Sequence, residues 1–301
     1  MSKKLVPKKL FLLTALTGCL LSIGAFAFAV DAGKAPGGEK CVECHDAVVN
    51  QFSGNIHAKA GAYGFAGASC ESCHGASASH VSSGDASSIS NPAKIDVEAA
   101  SAACLSCHSK GKGLALWHGS IHESQKLACV ACHKVHGGND KLLSKKTEAE
   151  VCIGCHVDVR ADMFKRSKHP MRDSSSPSGE GKMTCSSCHN VHGAKGEKLI
   201  DAKSFNDKCY ECHQEKKAPL LWEHSPVKED CMTCHTPHGS SNDKMLVTQV
   251  TRLCQQCHMQ GRHQTGTLGT DSTYLVNRSC LNCHSQIHGS NNPSGAVLQR
   301  K

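Results

Sequence analysis

The feature that most constrains this chain is a five-residue pattern, Cys-x-x-Cys-His, written ten times along 301 residues. The copies are Cys41, Cys44 and His45; Cys70, Cys73 and His74; Cys104, Cys107 and His108; Cys129, Cys132 and His133; Cys152, Cys155 and His156. They continue with Cys185, Cys188 and His189; Cys209, Cys212 and His213; Cys231, Cys234 and His235; Cys254, Cys257 and His258; Cys280, Cys283 and His284. These account for 20 of the 21 cysteines, and only Cys19 is left over. Chance would supply roughly 0.1 copies at this composition. Zinc sites and disulfides also use Cys-x-x-Cys, but neither needs a histidine directly after every second cysteine. Attachment of haem c needs both: two thiols bond the vinyl groups, and the adjacent imidazole reaches the iron. Only 4% of the residues are aromatic, so the expected core is cofactor rather than side chain.

Export is expected as well. Lysines 3, 4, 8 and 9 precede an apolar run from Leu10 to Ala29, the layout of a secretory signal peptide. Cleavage is placed after Ala29, giving a signal of 1–29 and a haem-bearing chain of 30–301, with Ala27 as second choice. Leu16-Thr17-Gly18-Cys19 also resembles a lipobox, but the apolar run continues ten residues beyond it. No later stretch reaches the ~20 apolar residues of a membrane helix, so none is expected in the mature chain. The formal charge of +8 falls to +4 once the four leader lysines go. Each oxidised bis-imidazole haem adds about one negative charge through its propionates. The sign therefore reverses, and nucleic acid is not an expected partner.

Subtracting the motif histidines from 21 leaves eleven, against ten irons needing a sixth ligand. The distal candidates are His57, His80, His122, His136, His169, His192, His224, His238, His263 and His288. Of these, His136, His192, His238 and His288 follow a motif closely and precede glycine, too near their own motif to pass around the porphyrin edge. Each is expected to ligate a neighbouring haem. Between His118 and His122, the second is assigned: it lies seven residues before Cys129 as His224 lies before Cys231, and Gly119-Ser120-Ile121-His122 echoes Gly54-Asn55-Ile56-His57. His118 is left as a propionate or surface partner. Ten ligands for ten irons leave no open coordination position, which points to low-potential electron relay and away from an enzyme; no catalytic residue is assigned.

The motifs pair into five dihaem units, and a division into two pentahaem halves, about 30–156 and 157–301, is a further option. HGGNDKLL, HGAKGEKLI and HGSSNDKML repeat between motifs, each a polar turn followed by lysine and two apolar residues. Repetition predicts a quasi-linear array in which sequence order becomes spatial order. The expected fold is a mostly irregular multihaem cytochrome c with short α-helices, little or no β structure and an extended haem chain. One helix is predicted over 157–169, with Ala161, Phe164 and His169 toward a haem. Stretches 75–103 and 171–184 read as loops.

The motif order, CHNVHG, LLWEHSP, CQQCH and the ending CLNCHSQIHGSNNPSGAVLQ resemble the decahaem cytochromes of the MtrA and DmsE type over nearly the whole mature chain. That resemblance implies a periplasmic protein associated with the outer membrane and inserted into a β-barrel, porin-like partner. It implies periplasmic or inner-membrane cytochrome donors and an extracellular terminal reductase of metal or dimethyl sulfoxide respiration. The family pattern has the ten distal histidines and none at the place of His118, and its members carry a longer segment before the first motif. Competing readings are a multihaem reductase of nitrite or sulfur oxyanions, a soluble periplasmic shuttle, and an extracellular terminal cytochrome, the last needing extra β domains for which the chain has no room.

Overall fold

The computed structural model describes residues 39–60, 67–137, 140–171, 183–217, 219–258, 279–293 and 295–298. The leader, Cys19 and the distal candidate His263 lie outside them. The described residues carry short helices α1 (Val42–Ser53), α2 (Ile56–Lys59), α3 (Cys70–His74), α4 (Ala78–Ser83), α5 (Val97–His108) and α6 (Ile121–Ser124). Then come α7 (Glu148–Cys152), α8 (Val157–Met163), α9 (Phe205–Tyr210), α10 (Ser225–Glu229) and α11 (Val250–Gln255). Only isolated β-bridges, and no strands, occur among them. Among the described residues no helix is long and apolar enough to cross a membrane.

Local chemistry accounts for the helix starts. Asn55, Asp96, Ser120 and Ser204 each cap the helix they precede by accepting a backbone N–H with the side chain. Thr147 and Glu150 form a reciprocal capping box at α7. Two sequence expectations need correction. The stretch 75–103 holds α4 and the first half of α5, because Gly84 closes α4 in a left-handed conformation and Asp96 restarts the chain as a cap. The helix begun at Val157 stops at Met163 rather than reaching His169, and Phe164 is 79% exposed. Ser167 instead pairs with Ser240, and this extended contact carries His169 away from the helix axis.

Among the described residues, side chains make only a small core, around Val49 and Phe52. The buried apolar residues are Val49, Phe52, Ala100, Trp117, Ala149, Ile200 and Leu298, with no large side chain completely enclosed. Backbone joints organise the chain instead. After each of three even-numbered motifs the chain doubles back: Lys134, Asn190 and Thr236 donate their N–H to Leu142, Leu199 and Met245. Ser144, Asp201 and Val247 then donate to the carbonyls of Cys132, Cys188 and Cys234. At the C-terminus Gln286 donates to Leu298 in the same way. Two glycines show how tightly these turns meet a distant arm. A Cβ on Gly193 (φ +122°) would stand 2.0 Å from the Leu116 carbonyl oxygen, and one on Gly239 (φ +155°) would stand 2.0 Å from that of Asp162.

Candidate functional site

The motif cysteines lie in sequence order. Within each successive pair, first cysteines come together: Cys41 with Cys70, Cys104 with Cys129, Cys152 with Cys185, Cys209 with Cys231 and Cys254 with Cys280. Between pairs, second cysteines face each other: Cys73 with Cys107, Cys132 with Cys155, Cys188 with Cys212 and Cys234 with Cys257. All twenty thiols are free of disulfides. Burial pushes several of them up, as at Cys73, Cys132 and Cys234. Two go the other way: Cys129 is drawn down to about 6 by its contact with Cys104, and Cys185 is lowered by its contact with Cys152.

Motif histidines meet the other histidines ring to ring. His45 lies against His80, His74 against His136, His108 against His57, His133 against His192 and His156 against His122. His189 meets His238, His213 meets His169, His235 meets His288 and His258 meets His224. The centroid separations run from 5.7 to 6.4 Å. Two imidazoles on opposite sides of one iron, each bonded at about 2 Å, place their ring centres about 6 Å apart. No group of three or more potential ligands converges among the described residues. Ligands offered two at a time suit an iron that already has four porphyrin nitrogens. His118 joins no such pair; its Nδ1 lies 2.9 Å from Glu123, and its side chain is 76% exposed.

The pairing follows a rule that spacing alone did not reveal. A histidine in a His-Gly turn meets the motif histidine two motifs earlier, as His192 meets His133. A histidine between motifs meets an odd-numbered motif of the next pair, as His122 meets His156. Neighbouring pairs are thus linked in both directions. At the start of the chain, His80 closes back on its own pair.

Second contacts fix the rings. All five even-numbered motif histidines direct Nδ1 at a backbone carbonyl: His74 at Ser90 (2.7 Å), His133 at Lys141 (3.1 Å), His189 at Lys198 (2.9 Å), His235 at Lys244 (2.8 Å) and His284 at Val297 (2.6 Å). This explains the Lys-apolar repeat. Lys141-Leu142, Lys198-Leu199 and Lys244-Met245 each have two successive residues at φ of 52–60°, and that strained turn aims the lysine carbonyl inward. A donating Nδ1–H leaves Nε2 to face a metal. Burial, helped by neighbouring imidazoles, holds His57, His136, His192, His224, His238 and His288 below the usual histidine range. That direction favours the neutral imidazole, the form that ligates.

Known proteins resemble this chain in sequence. A family model described as the doubled CXXCH motif matches residues 176–218 and 224–263. Models for cytochrome c-type NrfB-like proteins and for cytochrome c554 and c-prime match 70–155 and 29–75. The multiheme cytochrome MtrA of Shewanella baltica is 44% identical over 280 residues, covering 88% of this chain and 81% of that protein. The high-molecular-weight cytochrome c of Nitratidesulfovibrio vulgaris is 28% identical over 138 residues, 31% of this chain and 25% of its own length.

Proposed function

We propose, from the premise that the chain belongs to the MtrA-type multihaem c-type cytochromes, that it carries ten bis-histidine haems and relays electrons along them. The set of nine imidazole pairs at 5.7–6.4 Å is the observation that carries this reading. Haem c, when bound, supplies one-electron iron chemistry. The chain's own residues do the rest. Each Cys-x-x-Cys pair anchors a haem at a fixed place in the order, its following histidine is the proximal ligand, and the histidine it meets is the distal one. By elimination, His263 is the distal ligand left for the tenth motif histidine, His284.

Five dihaem units follow from the alternating cysteine contacts. Because the attachment sites keep their sequence order, the protein acts as a wire rather than a cluster. Its place is the periplasmic side of an outer-membrane porin–cytochrome complex, between periplasmic or inner-membrane donors and an extracellular terminal reductase. With every iron closed by two imidazoles there is no position for a substrate, and the chain is not itself an enzyme.

The test is the mature exported protein. A haem assay is expected to give ten per chain, and copurification is expected to bring down an outer-membrane barrel. Fewer than ten haems would break the ligand assignment, whereas full loading without a barrel partner would leave a periplasmic shuttle.

A further inference from the structure

Most ring pairs have one imidazole tied to the backbone. For even-numbered motifs it is the proximal ring, through the carbonyls of Ser90, Lys141, Lys198, Lys244 and Val297. The odd-numbered proximal rings His45, His108, His156, His213 and His258 are exposed and form no such bond; the closest approach is His213 to the Glu215 carboxylate at 3.7 Å. There the distal ring is tied instead: His80 to Asp85 (2.9 Å), His122 to Val191 (2.8 Å) and His169 to Pro237 (2.8 Å). His224 Nδ1 lies toward the Ile287 carbonyl without completing a hydrogen bond, and no other donor among the described residues takes that oxygen.

Val191, Pro237 and Ile287 occupy one structural position, directly before the histidine of a His-Gly turn. Its counterpart in the first arm is Val135, before His136. The Val135 carbonyl accepts instead from the Asn55 side-chain amide, at 2.5 Å. His57 Nδ1 is left buried without an acceptor. Asn55 stands two residues before His57, where the later arms have Ser120, Ser167 and Trp222. None of these reaches the equivalent carbonyl. Ser120 accepts from the Glu123 N–H and Ser167 from the Met245 N–H.

We propose that Asn55 is a positioning residue that sets the third haem, on Cys104 and Cys107 between His108 and His57, apart from the others by taking the acceptor its distal ring would use. An imidazole whose Nδ1–H is hydrogen-bonded is a stronger donor to iron and favours the oxidised state. Without that bond, His57 donates less, and the third haem holds an electron at higher potential than its sequence motif implies. The proposal rests on the reading of His57 and His108 as one axial pair.

The test is Asn55→Ser, the residue found at Ser120 and Ser167, which can still cap α2 but is too short to hold the Val135 carbonyl. In a redox titration of the fully loaded protein, one component in ten is expected to move to lower potential while nine stay in place. One additional ring N–H is expected to become slow to exchange with deuterium. The reciprocal Ser120→Asn is expected to move one component, that of the His122–His156 pair, upward. No movement in either variant, or an upward shift in Asn55→Ser, overturns the proposal. A wild-type count of bis-imidazole low-spin haems below ten would show instead that the axial-pair reading had failed.

Discussion

Odd- and even-numbered motifs have the same five-residue formula but are held in different ways. From the third motif onward, odd motifs begin within the end of an α-helix, as Cys104 in α5, Cys152 in α7, Cys209 in α9 and Cys254 in α11. Even motifs from the fourth onward sit in single 3-10 turns and are followed by the His-Gly reversal. In the odd class a helix presents the cysteines, the motif ring is exposed and an arm from the previous pair supplies its partner ring, which the backbone anchors at His122 and His169. In the fourth, sixth and eighth motifs a strained turn grips the motif ring and its partner ring comes from the next pair. Cys-x-x-Cys-His therefore specifies attachment, while the residues around it specify how rigidly the ligand is held.

The joint between the two classes is the place to break this difference with most effect. Gly239→Ala would drive a Cβ into the Asp162 carbonyl, which belongs to the arm carrying His169. A loss of about 3 kcal/mol or more is expected in a urea unfolding series, from overpacking and backbone strain together. Glu148 ties odd to even within one pair: its carboxylate accepts the N–H and hydroxyl of Ser186 and pairs with Lys141 at 3.2 Å. Burial pushes that carboxyl up, but the Ser186 and Lys141 contacts outweigh it and leave it below the usual glutamate range. Glu148→Ala is expected to cost about 2 kcal/mol. Because the folded pKa is depressed, the contribution is present above the unfolded pKa and lost as pH falls through the folded one. The wild type and Glu148→Ala should therefore converge in stability on acidification.

Smaller changes sharpen the contrast. Thr147→Ala removes the cap of α7 and is expected to cost about 1 kcal/mol, an effect confined to the odd class. Lys198 is exposed at φ +52°. Lys198→Val and Lys198→Asn remove the same charge, but asparagine tolerates the left-handed region and valine does not. Valine should be less stable than asparagine by about 1 kcal/mol, and only the valine variant should speed exchange of the His189 ring N–H.

Much of the site was legible because covalent attachment demands fixed chemistry at fixed spacing. The ten motifs, the set of further histidines and the separate standing of His118 all follow from counting and position. Each described candidate in that set now lies against a motif histidine, and His118 lies against Glu123. Which ring meets which was not legible, since His192 reaches back to His133 across 59 residues of chain that spacing does not fold. The lysine repeat was visible without its purpose: successive left-handed residues at Lys198 and Leu199 violate local preference, and only the carbonyl they aim at His189 explains them. Asn55 read as part of an echo of Gly119-Ser120-Ile121-His122, yet its amide makes that first arm differ from the rest.

The central claim is closure of every iron by two imidazoles, and ligand-sensitive spectroscopy of the whole loaded protein tests it most directly. The oxidised protein is expected to show ten low-spin bis-imidazole haems by near-infrared magnetic circular dichroism, and the reduced protein is expected to form no carbon monoxide adduct. One high-spin haem per chain, or one carbon monoxide adduct per chain, would contradict it.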